Sequence, residues 1–165
     1  MTIYRYPSGG EFGEACERLA VELGFAPVCK PADAVVAIAP LLTRRLLPGD
    51  YLAPRHGTLV FHPSALPYRR GPDAVRRTVA AGERVSAATW FWCAEGWDTG
   101  DVCEAEVVVL SPGESPGRAY YTRFVPAGLR ALRRALEGVR AGTPRRVPQD
   151  PALATYEPAP ARSGV

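Results

Sequence analysis

Residues 58–71 read Thr58-Leu59-Val60-Phe61-His62-Pro63-Ser64-Ala65-Leu66-Pro67-Tyr68-Arg69-Arg70-Gly71. The run Thr58–Phe61 has no charged residue. It predicts a strand buried on both faces, as in a parallel sheet covered by helices on either side. His62 then falls at the carboxyl end of that strand, where open α/β sheets place their ligands. A proline-stiffened loop follows. Gly71-Pro72 predicts the start of a helix, with proline at its first position and Gly82 at its end. Just upstream, Ala34–Ala39 is a second continuous apolar run and a second buried strand. Buried strands alternating with helices define an α/β protein.

The flanking segments extend this pattern. Thr2–Tyr6 is β-branched and aromatic and predicts a strand, closed by Pro7-Ser8-Gly9-Gly10. Phe12, Ala15, Cys16, Leu19 and Leu23 recur at helical spacing, with Glu11 and Glu14 at the helix N-terminus and Gly24 at its end. The turn is a tight connection, or a place for an anion on the helix N-terminus. The second reading makes Ser8, Gly9 and Gly10 candidate substrate-binding residues. Phe25–Cys29 predicts a short strand, and Leu41–Leu47 a short helix ended by Pro48-Gly49. Val85–Ala94 and Val102–Leu110 predict longer strands, paired antiparallel across the short Glu95–Asp101 connection. Trp90, Phe91 and Trp92 put aromatics on both faces of the first. Either the last helix covers them or a partner chain does, so a homodimer stays among the expectations. That helix carries Leu129, Leu132, Leu136 and Val139 in register, and Pro126 should kink its start or break it in two. Residues 1–142 read as one domain. Residues 143–165, rich in Pro and Ala, read as an extended, partly disordered tail.

Composition narrows the classes. The 165 residues, 47% apolar and 22% charged, suit a single globular domain. No apolar run approaches the roughly 20 residues of a membrane span. Glu11, Glu14 and Glu17 interrupt any N-terminal apolar stretch, so a cytoplasmic protein without membrane contact is expected. Four cysteines lack paired spacing, and His56 and His62 are the two histidines. Reduced, buried thiols and no metal site are expected. Net charge is +3, but residues 116–146 hold eight arginines against Glu137. This is a solvated helix face or an anion site. No base-stacking platform accompanies it, so no nucleic-acid partner is expected.

Chemistry concentrates at His62 and at Asp98, which stands in Gly96-Trp97-Asp98-Thr99-Gly100-Asp101. Alone, His62 reads as a structural residue and Asp98 as a turn former. Brought together they would make an acid/base pair, with the carboxylate orienting the imidazole.

The combination of His62-Pro63-Ser64-Ala65-Leu66-Pro67, Arg70-Gly71 and the Asp98 turn, 36 residues after His62, resembles the folate-dependent formyltransferase family. The likeness covers roughly residues 33–157. Pro148-Gln149-Asp150 and Ala154-Thr155-Tyr156 resemble the segment after the catalytic domain of the methionyl-tRNA members. The resemblance implies a Rossmann-like formyltransferase fold, with a mostly parallel sheet shortened in its N-terminal half and an antiparallel strand pair. It implies 10-formyltetrahydrofolate as cosubstrate. His62 would stabilise the formyl oxygen or shuttle a proton, and Asp98 would support the charge on His62. The pteridine would lie against Ala39, Pro40, Leu41 and Leu42 and against Glu95, Gly96 and Trp97, largely through backbone groups. Ser64 and Arg70 are candidates on the substrate side.

The sequence departs from the family in three ways. The family's catalytic Asn falls on Val60, which offers no hydrogen bond, and loss of such a donor costs about 10²–10³ in rate. About 60 residues precede His62, fewer than usual, so a strand–helix unit is cut down. No tRNA-gripping domain is expected after the tail, which favours a small amine as acceptor. The expected function is therefore formyl transfer from 10-formyltetrahydrofolate to a small amine in small-molecule biosynthesis. The alternatives are a catalytically degenerate folate- or partner-binding protein, or an enzyme moving the folate one-carbon unit by another reaction.

Overall fold

The computed structural model describes residues 1–8, 10–42 and 45–156. Among these, six strands form one sheet in the order β2-β1-β3-β4-β5-β6. The strands are β1 (Thr2–Arg5), β2 (Ala26–Pro27), β3 (Val36–Ala39), β4 (Thr58–His62), β5 (Val85–Trp92) and β6 (Val102–Val109). The pairings β1–β2, β1–β3 and β3–β4 are parallel, whereas β4–β5 and β5–β6 are antiparallel. The sheet is thus Rossmann-like through β4 and ends in an antiparallel ribbon. As the sequence pattern requires, every residue of β3 and β4 is buried. The front half is short: β2 has two residues, and a 3₁₀ turn, Pro31–Asp33, leads directly to β3.

One face of the sheet is covered by α1 (Glu11–Glu22) and α5 (Val125–Arg140). Phe12, Cys16, Leu19 and Ala20 of α1 meet Ala131, Leu132, Ala135, Leu136 and Val139 of α5 in a single core with Leu59, Phe61, Trp90 and Trp92. The helices approach the sheet closely. A Cβ on Gly128 would stand 2.7 Å from the Phe61 ring, and the Trp90 indole N–H donates to the Gly128 carbonyl at 2.8 Å. Phe91 faces the opposite way, into a second cluster with Tyr6, Ala37, Ala39, Leu46, Tyr51 and Val60. Both faces of the aromatic strand are therefore covered within the chain.

Two expectations are corrected, and the interruption expected near Pro126 takes a particular form. The described part of Leu41–Leu47 is not helical. The helix there is α2 (Pro48–Tyr51), which starts on the proline that was expected to end one. Pro48 favours a first helical position, and the Asp50 carboxylate accepts from the Leu47 N–H at 3.3 Å. Helix α3 (Ala74–Ala80) begins two residues after Pro72, because Gly71 (φ 94°) and Asp73 (φ 63°) carry the chain through left-handed turns. The last helix is preceded by α4 (Pro116–Ala119) and a π-helical turn, Tyr120–Phe124, in which the Val125 N–H reaches back five residues to the Tyr120 carbonyl. That wider turn accommodates Pro126, which has no N–H to donate and a ring that crowds the preceding turn.

Most arginines of residues 116–146 meet acids, whereas Arg140 and Arg146 donate to the carbonyls of Leu23 and His56. Arg130 pairs with Glu106, Arg133 with Glu22, and Arg134 with Glu104 and Glu106. Arg118 and Arg123 lie against Glu114. Residues 143–156 run back across the ribbon. Val147 bridges Val102, and residues 155–156 lie alongside residues 69–70. Residues 157–165, where the tail was expected to continue, lie outside the described residues. No helix among the described residues is long and apolar enough to cross a membrane.

Candidate active site

The sheet face that carries Val60 and Phe91 opens into a cleft of about 550 Å³ past the ends of β3 and β4. Leu41, Leu42, Leu46, Gly96 and Trp97 line it together with His62 and Asp98. This lies in the range of small-molecule sites and has the apolar walls and few polar groups such sites use.

His62 ends β4 and is 7% exposed. Its Nε2 lies 2.7 Å from the Arg69 carbonyl oxygen, to which it donates, and its Nδ1 lies 3.6 Å from Asp98 Oδ2. A ring with a hydrogen on each nitrogen therefore has an acceptor before both. Asp98 reaches this position through a sharply folded loop. The residue sits at φ 54°, a left-handed conformation that Asp tolerates better than most. Its Oδ2 accepts from the Gly71 N–H at 2.7 Å, so the two loops fasten together at the carboxylate. Gly100 lets the loop double back. A Cβ there would be 1.7 Å from the Trp92 carbonyl oxygen, so any other residue would displace the backbone.

Val60 and His62 both line the cleft, as residues two apart on one strand must. Val60 is 4% exposed and packs in the Phe91 cluster, so this part of the floor is apolar. Cys93 also lines the cleft. Burial and then the Asp98 charge push its thiol up to about 11, so it stays protonated at neutral pH.

Of the other predicted site residues, Leu41, Leu42, Gly96 and Trp97 border the cleft, while Ala39 and Pro40 are buried beneath it and Glu95 is exposed outside it. Ser64 is buried, with its hydroxyl donating to the Tyr68 carbonyl at 2.7 Å. The Arg70 guanidinium is engaged by Gln149. Neither lines the cleft. Ser8 and Gly10 flank the start of α1 and do not reach it either, and Gly9 lies outside the described residues. Arg45, Phe91 and Tyr156 also line the cleft. Sequence reasoning did not select them, because an isolated Arg or Tyr in a loop or tail carries no periodic signal. No group of three or more His, Cys, Asp or Glu gathers among the described residues. All four cysteines are free: Cys16 and Cys103 are buried and Cys93 is half-buried, but Cys29 is exposed, against expectation.

A parallel sheet continued by an antiparallel ribbon, with His62 and Asp98 in the wall of a largely apolar cleft, defines a Rossmann-like α/β domain. The chain belongs to the formyl transferase family, whose model matches residues 27–136. It is 28% identical over 163 residues to the cytosolic 10-formyltetrahydrofolate dehydrogenase of Mus musculus, which covers 94% of this chain and 16% of that protein. It is 37% identical over 115 residues to the methionyl-tRNA formyltransferase of Carboxydothermus hydrogenoformans, over 69% of this chain and 37% of that one. The chain thus spans well under half the length of these curated relatives. Its fold matches that of the formyltransferase PseJ from Anoxybacillus kamchatkensis, solved with UDP-4,6-dideoxy-4-formamido-L-AltNAc and tetrahydrofolate, at TM-score 0.77 and 13% identity over 95% of this chain and 85% of that one.

Proposed function

We propose that the cleft binds 10-formyltetrahydrofolate and that the chain transfers its formyl group to a small amine. The observation that carries this reading is the meeting of His62, at the end of β4, and Asp98, from the loop between β5 and β6, in the wall of one cleft of about 550 Å³. The residues present suit a folate. Leu41, Leu42 and Leu46 offer apolar surface for a flat ring, and Gly96 and Trp97 line the same cleft. When bound, the folate supplies the formyl group, which moves to the amine nitrogen as one proton moves the other way. In this reading His62 meets negative charge on the formyl oxygen or carries that proton, exchanging one of its protein partners for the substrate, and Asp98 orients it. The relatives named for 10-formyltetrahydrofolate and for formyl transfer support the cosubstrate. The sugar-nucleotide ligand of PseJ supports a small acceptor. The four free thiols support a cytoplasmic setting, where thiols stay reduced. A role in small-molecule biosynthesis follows from the acceptor class.

One observation favours a second reading, folate binding without transfer. Val60 brings no donor to the floor of the cleft, and both nitrogens of His62 already face protein oxygens. Calorimetric titration with 5-formyltetrahydrofolate tests what the two readings share, and saturable binding is expected. No heat and no thermal shift at millimolar ligand would overturn both. Tetrahydrofolate release in the presence of candidate amines then separates them.

A further inference from the structure

The groups that hold His62 in place are themselves held by the C-terminal segment, and above all by Gln149. Its side-chain oxygen accepts from Arg70 Nε at 3.1 Å and Nη2 at 2.8 Å, and its amide nitrogen donates to the carbonyls of Asp98 at 2.9 Å and Gly100 at 2.7 Å. Only this orientation of the amide serves all four neighbours, because a guanidinium cannot accept and a carbonyl cannot donate. One side chain therefore ties the loop that bears Asp98 to the loop that follows His62.

Six residues further on, Thr155 fastens the other acceptor. The Arg69 N–H donates to Thr155 Oγ1 at 2.8 Å, and the Arg70 N–H donates to the Thr155 carbonyl at 2.9 Å. Arg69 carries the carbonyl that receives the His62 Nε2 proton. Each ring nitrogen of His62 thus faces an oxygen whose backbone is pinned by residues 149–155. Asp98 and Arg69 both sit at positive φ, a conformation their backbones hold only when surrounding bonds enforce it.

We propose that Gln149 is a positioning residue for the His62–Asp98 pair, and that residues 149–155 form a clasp whose docking sets the geometry of the imidazole. This rests on the roles assigned to His62 and Asp98 above. It extends them to a residue that touches neither the imidazole nor the cleft.

The test is Gln149→Glu in the full chain. The carboxylate still accepts from Arg70 but sets its second oxygen against two carbonyls, so the anchor survives and the grip on the Asp98 loop is lost. The readouts are the imidazole nitrogen signals of His62 by NMR, the split between kcat and KM for the formyl folate, and the melting temperature. The His62 signals should move. Turnover should fall about 10- to 100-fold with KM within about threefold, the scale of a small misplacement of reacting groups. Unmoved His62 signals would overturn the proposal whatever the rate does. So would a lower melting temperature with unchanged turnover, since that marks a structural role alone. If Gln149→Glu does not fold, Thr155→Val applies the same test from the Arg69 side. If the wild type turns over no formyl folate, the proposed function fails, and the His62 signals still decide for or against Gln149.

Discussion

Replacing Asp98 by Asn removes one charge and almost no volume. The Asn oxygen still faces the Gly71 N–H, now 2.7 Å from Asp98 Oδ2, so the link between the loops persists in weaker form. A hydrogen bond to a charged group contributes about 1.5–3 kcal/mol and a neutral one about 0.5–1.5 kcal/mol, so the stability loss is about 1 kcal/mol. For a chain of 165 residues this lowers the melting temperature by about 2–4 °C. The effect on chemistry is larger. At 3.6 Å, opposite unit charges attract by about 4–5 kcal/mol at an effective dielectric constant of about 20. That bounds the loss of charge stabilisation around His62 at about 10³-fold in rate. Partial exposure of Asp98, 17% at the side chain, reduces it, so a fall of about 10²–10³-fold in tetrahydrofolate release is expected. The assay follows release spectrophotometrically with amine in excess, beside a thermal melt of the same sample. A melting shift of the stated size with turnover within threefold of wild type would refute the reasoning, leaving Asp98 as a loop fastener.

Val60→Asn places an amide among Tyr6, Ala39 and Phe91, which should cost about 1–3 kcal/mol of stability in a chemical denaturation series. In an active enzyme it should change turnover little, whereas His62→Ala should lower it by orders of magnitude; wild-type turnover that survives His62→Ala would place the chemistry elsewhere. The Ser111 N–H and then Arg123 hold the Glu114 carboxyl below its ordinary value, despite burial acting the other way. A depressed folded-state value stabilises the fold above about pH 4.5 and loses that contribution as pH falls through it, so melting temperature should drop on acidification below about pH 4.5, and less steeply in Glu114→Gln. Because Arg130, Arg133 and Arg134 are engaged by Glu106, Glu22 and Glu104, a gel shift with tRNA at physiological salt should be negative; submicromolar, salt-resistant binding would restore tRNA as an acceptor.

Much of the architecture was legible locally. The apolar runs at Val36–Ala39 and Thr58–Phe61, the helical spacing of Phe12, Cys16 and Leu19, and the pairing of the two strands after Val85 all appear where periodicity put them. His62 and Asp98 stood out through their motifs, and the two-residue spacing already placed Val60 on the face of His62. Leu41–Leu47 misled because a short apolar stretch fits a helix or a wall of side chains equally well. Here its described residues Leu41, Leu42 and Leu46 line the cleft.

What the chain determined by itself is what neighbours in sequence can settle: the period of a strand or helix, a proline at a helix start, a glycine where a turn demands it. What only the tertiary structure decided is the company each polar group keeps. Arg70 and Gln149 are 79 residues apart, and Arg69 and Thr155 are 86 apart. Nothing in a tail rich in Pro and Ala marks one amide as the clasp of two distant loops. A hydrogen bond has no period. It exists only where folding has brought a donor within about 3 Å of an acceptor, and buried polar groups take the partners the fold leaves within reach.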